Sequence, residues 1–278
     1  MRSPLAGIGQ IYFQSSPLFG LLLLGCLYLS APALAAGCLL GVCAASGTAW
    51  TLDYPQAERE AGQYGFNGAL SGVGLCAAWQ FNVALLCWIA LAGMATALLT
   101  RAMTRWGWPP LTFLFVLVMW LSTAAGPALG LTSRMSEVGA GCGMASPGYA
   151  FCVIGQASFV GAAAPGLLLW LALARGRKHL GAWGLAGGGL AWAVLSLASL
   201  ALPAAPVAAV ATAAGANSAL TALGLSVHER HWRWRCLGAV TSIGLCACFA
   251  ALGLDFYTLP FVLSVWLVLA VTAQNDVA

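Results

Sequence analysis

Long apolar runs dominate the chain, and short polar stretches punctuate them. The runs fall at 3–15, 17–31, 31–50, 68–99 and 109–127, then at 150–161, 163–175, 181–203, 206–226, 236–254 and 257–273. They are continuous and rich in Leu, Ala and Gly, without the short apolar/polar alternation of a membrane barrel strand, so they predict helices. The polar tetrad "WQFN" at 79–82 breaks the fourth run. Several runs are shorter than the ~20 residues that span a bilayer core. Such lengths predict broken or re-entrant helices, which lipid tolerates only where protein or a cavity buries them. A Gly-rich polar stretch, "GLTSRMSEVGAGCGMASPG" at 130–148, divides the pattern in two.

Composition agrees with a membrane chain. It is 61% hydrophobic and 6% charged, against roughly 25% charged in soluble domains. The net charge of +4 suggests no nucleic-acid partner. Arg101/Arg105, Arg175/Arg177/Lys178 and Arg230/Arg233/Arg235 sit between apolar runs, beside Trp106, Trp108, Trp232 and Trp234. Both sets read as anchors at headgroup level. Counting loops from the N-terminus leaves the positive-inside balance nearly even, so charge alone does not orient the chain. The start lacks the clean apolar core of a cleavable signal, so the first helix is expected to stay. Most of the ten cysteines lie in apolar runs, where Cys behaves as a small hydrophobe. Cys142 and Cys152 flank a loop, and a bridge between them stays open. His179, His228 and His231 lie in the basic clusters, and no zinc-ligand spacing is present.

The two halves resemble each other. "IGQIYFQSSPLFGLLLL" from Ile8 aligns with "IGQASFVGAAAPGLLLW" from Ile154, an offset of 154 − 8 = 146. "FNGALSGVGL" from Phe66 aligns with "ANSALTALGL" from Ala216, and "LTFLFVLVMWL" from Leu111 with "YTLPFVLSVWL" from Tyr257. Matches in Gln, Asn, Thr and Trp are not a product of Ala/Gly/Leu bias. The chain therefore reads as a tandem duplication: a first repeat over 1–128, a connecting loop over 129–148 and a second repeat over 149–278. An odd number of spans per half would insert the copies in opposite orientations. Inverted repeats place a solute site near the midplane, and interrupted Gly-rich segments in corresponding places point to it.

Those segments are unusual. "GQYGFNGALSGVGL" at 62–75 holds five Gly with Tyr, Phe, Asn and Gln. It predicts the start of a short half-helix, repeated at 212–225, with Asn67 and Asn217 as N-caps or turn residues. Gly65, Gly68, Gly72 and Gly74 would permit close backbone approach. Gln10 and Gln156 are amides within predicted spans, each with donor and acceptor faces. They serve either as interhelical hydrogen bonds or as the lining of a pathway. Phe13 and Phe159 lie one helical turn further on, on the same predicted face. An amide beside an aromatic wall suits a small, planar, neutral solute. Thr112 and Thr258 either bond back to their own helices or face the same solute. Asp and Glu occur only between runs or near the chain end, which argues against ion coupling. No paired acid and base, nucleophile set, metal cluster or phosphate loop is visible, which argues against an enzyme or a cofactor.

The blocks "GIGQIYFQ", "YGFNGALSGVGL" and "YTLPFVLSVWL" resemble the signature blocks of the urea transporter family, and the likeness covers most of the chain. The resemblance implies an all-α polytopic membrane protein of two inverted repeats, each with about five spanning helices and one re-entrant pore helix. It implies homotrimers in the lipid of the cell (inner) membrane, with passive, channel-like passage of urea through a pore in each protomer. Gln10 and Gln156 would sit at the pore. Phe13 and Phe66 would form slots for flat urea. Leu70, Leu220, Thr112 and Thr258 would border the narrow middle. Two departures stand out: Leu114 replaces the Pro260 of the second half, and Ala216 replaces Phe66. A wider slot at Ala216 makes a channel for ammonia, water or short amides the alternative. The aquaporin Asn-Pro-Ala pair is absent, which counts against water. A membrane-embedded enzyme or interaction subunit is the reading from another class.

Overall fold

The computed structural model of the protein describes residues 2–134, 142–201, 204–228 and 231–275. Glu137, Arg230 and most of the Gly-rich centre of the connecting loop lie outside the described residues. Among the described residues the regular structure is helical, with one isolated bridge between Trp79 and Ser133. The chain divides into two compact units, Met1–Glu137 and Val138–Ala278.

The first unit holds α1 (Arg2–Gly9), α2 (Pro17–Ser30), α3 (Pro32–Thr51), α4 (Gln56–Glu60), α5 (Phe66–Ala78), α6 (Val83–Arg105) and α7 (Phe113–Ala125). Local chemistry sets the boundaries. Pro17 opens α2 behind the Ser16 cap, whose hydroxyl accepts from the Phe19 N–H. Pro32 forces the preceding Ala31 into extended backbone and separates α2 from α3. The "WQFN" break falls between α5 and α6, where Asn82 accepts from the Leu85 N–H at 2.8 Å and caps α6. Trp106, Trp108 and Trp232 are exposed, as the aromatic belt requires.

The second unit holds α8 (Tyr149–Gln156), α9 (Ala163–Gly176), α10 (Lys178–Ala201), α11 (Ala204–His228), α12 (Trp232–Ala251) and α13 (Leu259–Asn275). Among the described residues, α3, α6, α10, α12 and the 207–228 stretch of α11 are long and apolar enough to cross a membrane. The α1 and α2 segments form a pair bent by 78°. The chain is thus an all-α, multi-pass membrane protein.

The centre of the first unit is α5, in which Asn67 through Cys76 are all buried. It nests against α3 along two glycine pairs. A Cβ on Gly72 would stand 1.9 Å from the Gly37 carbonyl oxygen, and one on Gly41 would stand 2.0 Å from that of Gly68. Bare backbones meet here, the close packing that small residues allow between membrane helices. That explains why the segment opening at Gly62 is so rich in glycine. In the second unit α11 takes the central place, and the seam survives in modified form. Gly187 meets Ser218, whose hydroxyl donates to the Gly187 carbonyl at 2.8 Å.

One expectation fails. Residues 212–225 do not open a short half-helix, because α11 runs from Ala204 to His228. In the first unit, turns at 61–65 with Gly62 at φ +78° stop the chain before α5. The aligned residues 211–215 read Ala-Thr-Ala-Ala-Gly, and this alanine-rich stretch continues the helix.

The glycine seam yields a direct test. Gly72→Ala should destabilise the protein by about 1–3 kcal/mol through overpacking. Gly25→Ala, where a Cβ meets nothing within 4 Å, should be neutral or stabilise by up to about 1 kcal/mol. Thermal unfolding in detergent distinguishes them; equal shifts would disprove the backbone contact.

Candidate functional site

Each unit carries the same three features: a reversed helix end with a half-buried amide, a buried asparagine, and a turn that the asparagine holds. The first feature follows Gln10 and Gln156. Helix α1 ends at Gly9, and one 3₁₀ turn runs from Gln10 to Tyr12. Phe13 then adopts φ +60°, its N–H bonding to the Gln10 carbonyl at 3.0 Å, while the Gln14 N–H bonds to the Gly9 carbonyl at 3.2 Å. In the second unit α8 ends at Gln156 and Phe159 adopts φ +65°. The Phe159 N–H bonds to the Gln156 carbonyl at 2.9 Å, and the Val160 N–H to the Gly155 carbonyl at 3.0 Å.

This pattern is a Schellman closure with Phe at the left-handed position that normally takes Gly. A bulky residue there costs about 1–3 kcal/mol, and such strain concentrates at functional sites. The expectation that each Gln and Phe share one face of a continuous helix is therefore corrected. The chain reverses at the Phe, and both Phe side chains stay half-buried, as do both Gln side chains.

The two amides differ in their partners. The Gln10 Nε2 group donates to the Ser15 hydroxyl and to the Ala61 carbonyl, each at 2.8 Å. Both Nε2 donors are thereby used, and the oxygen remains as an acceptor. Gln156 has no side-chain hydrogen bond among the described residues; its Oε1 lies where a Cβ on Gly161 would come within 2.3 Å. The glycine leaves room for the amide.

The asparagines are not N-caps of their own helices. Asn67 is the second residue of α5, and Asn217 lies in mid-helix. The Asn67 Nδ2 group donates to the Leu111 carbonyl at 2.9 Å, and its Oδ1 accepts from the Phe115 N–H at 3.2 Å. Asn217 repeats this with the Tyr257 carbonyl at 2.9 Å and the Phe261 N–H at 3.0 Å. Each amide thus satisfies one N–H in the first turn of a following helix, α7 or α13, and one carbonyl of the turn before it. Those turns carry a second pair of left-handed residues, Leu111 at φ +44° and Tyr257 at φ +46°. Asn67 is fully buried and Asn217 nearly so. Their amides hold the scaffold together and bring Thr112 and Thr258 close to α5 and α11.

Phe66 is half-buried at the start of α5. Leu70, Thr112, Ala216, Leu220 and Thr258 are buried within their own units. The turn that contains Gln10 packs against α5, the helix that carries Phe66 and Leu70.

Sequence reasoning missed what holds Ala61. Tyr64 is buried and its hydroxyl donates to the Glu58 carboxylate. Arg101 pairs with the same carboxylate at 3.5 Å and lies over the Tyr54 ring at 5.7 Å. Burial first, then the bond to Glu58, pushes the Tyr64 hydroxyl up to about 12, so it remains a donor at neutral pH. Arg101 is therefore more than a surface anchor. Beside this segment an open cavity of about 1210 Å³ is lined by Ser15, Ser46, Trp50, Gln56 and Arg59 among others. Among the described residues no group of three His, Cys, Asp or Glu could hold a metal ion.

A family model described as urea transporter matches residues 1–273. No curated protein matches the chain. The match spans nearly the whole sequence, and the chain belongs to the urea transporter family, whose members are transporters rather than enzymes.

Asn67→Ala should destabilise the protein by about 1–3 kcal/mol for each buried group left unpaired, and Asn217→Ala likewise. Gln156→Ala should leave thermal stability within about 0.5 kcal/mol. Melting curves that rank Gln156→Ala with the asparagine variants would overturn the latch.

Proposed function

We propose that this member of the urea transporter family conducts urea passively, by a channel-like mechanism, through a pathway within each protomer. The observation that carries the reading is the pair of Gln-to-Phe reversals, each with a half-buried Gln three residues before a half-buried Phe in left-handed backbone. Urea leaving water needs replacements for its lost hydrogen bonds, because burying an unpaired amide costs several kcal/mol, roughly 2–7. Gln10 offers an acceptor, and Gln156 offers both donor and acceptor. Phe13, Phe66 and Phe159 form flat walls that admit a planar solute. Leu70 and Leu220, with Thr112 and Thr258, border the narrow part, and Asn67 and Asn217 fix the helices that carry it. Conduction requires binding weak enough for release, which neutral amides and hydroxyls supply.

In this reading the two repeats are inverted, the protein is a homotrimer, and it resides in the cell (inner) membrane. The cavity at Ser15 and Gln56 serves as a vestibule beside Gln10. One observation favours a second reading, a channel for ammonia, water or short amides: Ala216 replaces Phe66 in the second half, which removes an aromatic wall.

Stopped-flow light scattering on proteoliposomes tests both. Urea influx should far exceed that of empty vesicles, and an ion gradient should not alter it. Gln156→Ala should cut the urea rate at least as much as Gln10→Ala, with protein yield and elution unchanged. Ala216→Phe should raise the urea-to-methylurea ratio. Urea influx no faster than in empty vesicles would exclude urea as cargo, and rapid ammonia or water flux in that case would favour the second reading.

A further inference from the structure

The two reversals are borne by helices too short to stand alone: α1 and α8 each have eight residues, well below the length at which a helix is stable by itself. Something else must fix each of them. In the first unit the fixture is polar. Gln10 bonds to the Ala61 carbonyl, and Glu58, Tyr64 and Arg101 hold the turn that carries Ala61. The residues aligned with that turn are apolar or small, and no such network stands there among the described residues. There Cys142 is joined to Cys152 by a disulfide, and Ala6 stands where the repeat would put Cys152.

Cys152 lies four residues before Gln156, one turn back on the same face of α8. Around the bond, Cys142, Tyr149, Cys152 and Val153 form a buried cluster with Met144 and Ala163. The Tyr149 hydroxyl donates to the Ala211 carbonyl of α11 at 2.7 Å, and Trp192 of α10 donates to the Met144 carbonyl at 3.1 Å. The loop and the helix are thereby tied to the two main helices of the unit.

The location suits a persistent disulfide. Helices α10 and α11 run antiparallel: Gly184 faces Leu223 and Gly187 faces Ala219, while Ala191 and Leu195 cluster with Val207 and Ala211. Met144 packs at the latter end. The opposite end carries Arg175, Arg177 and Lys178, with His228, Arg233 and Arg235, the last lying over Trp183 at 4.9 Å. Within this unit the 175–178 cluster and His228, Arg233 and Arg235 thus share one end, which corrects the near-even tally expected from counting loops, and the positive-inside rule makes that end cytoplasmic. The disulfide end then faces the oxidising compartment, where such bonds form and last. The two rules concern different residues and give the same orientation.

We propose that Cys142–Cys152 is the positioning element of the second reversal: it holds α8 so that Gln156 and Phe159 keep their geometry toward the solute. This role rests on the transport reading above. Alkylation of the unfolded protein should modify eight thiols without reductant, matching the eight free cysteines, and all ten after reduction. Cys142→Ala/Cys152→Ala should lower urea influx severalfold and shift the urea-to-methylurea ratio, in protein whose elution and helical circular dichroism match the parent. Tyr149→Phe, which loosens the same helix without touching sulfur, should move the ratio in the same direction. A merely stabilising bond would lower the melting temperature and leave the ratio unchanged in folded protein. Ten thiols modified without reductant, or a conducting parent whose disulfide-free variant keeps rate and ratio, would overturn this role alone. A parent that conducts no urea would overturn the transport reading and the role together.

Discussion

Lipid offers no hydrogen bonds, so a helix that stops inside a membrane must find partners for its terminal N–H and C=O groups within the protein. The fold depends on how two asparagines meet that demand. Asn67 and Asn217 each give the N–H of a following helix an acceptor and the carbonyl of the turn before it a donor, across 40 to 48 residues. A carboxylate would supply no donor, and a hydroxyl is too short to span both groups. The amide therefore fixes the starts of α7 and α13 against α5 and α11. The reversals at Phe13 and Phe159 meet the same demand with backbone alone, at the expense of a left-handed aromatic residue. Glycine supplies the third device: at Gly37, Gly41, Gly68 and Gly72 the helices approach until backbones touch, and α5 is buried from Asn67 to Cys76.

Much of this was legible in the sequence. The apolar runs forecast nearly every helix, and "WQFN" marked the gap between α5 and α6, because hydropathy and capping are local properties. The aligned blocks anticipated a repeated local geometry, visible in the paired left-handed residues Phe13 and Phe159, and Leu111 and Tyr257. Gly65, Gly68 and Gly72 meet close neighbours as expected, although sequence could not say that α3 was the partner. What escaped depends on distant residues. The asparagines looked like local caps, and their true partners lie in another helix. The unbroken course of α11 followed from a change of turn residues to alanine, a difference hidden when blocks are aligned for likeness. The Glu58–Tyr64–Arg101 cluster joins a loop to the far end of α6. Only the cysteine pair had been noted beforehand, and its bridging was left open because spacing cannot decide it.

The two units differ most where a role can be filled by more than one chemistry. The asparagine latch is kept in both because few side chains can replace a group that donates and accepts at fixed distances. The glycine seam tolerates one serine, since the Ser218 hydroxyl can turn and bond to Gly187. The anchoring of the short helices diverged completely, into an ionic and hydroxyl cluster on one side and a covalent bond on the other. Either can fix an eight-residue helix, so neither was constrained by its counterpart.

That divergence bears on the proposed solute pathway. Gln10 arrives with both amide donors engaged, by Ser15 and by Ala61, and can present only its oxygen. Gln156 has neither bond, and its orientation is set by α8 and by the space left at Gly161. On the proposed pathway, a solute that donates four N–H groups and accepts at one oxygen would meet an acceptor at the Gln10 amide, and a donor as well as an acceptor at the Gln156 amide. The first amide is preorganised and loses little freedom on binding; the second loses more but can make an additional bond. Opposed in this way, the two terms would bring the affinities of the two proposed sites closer together. A chain of sites conducts only when none is deep enough to trap the solute, so two unequal amides can serve one pathway without requiring identical surroundings.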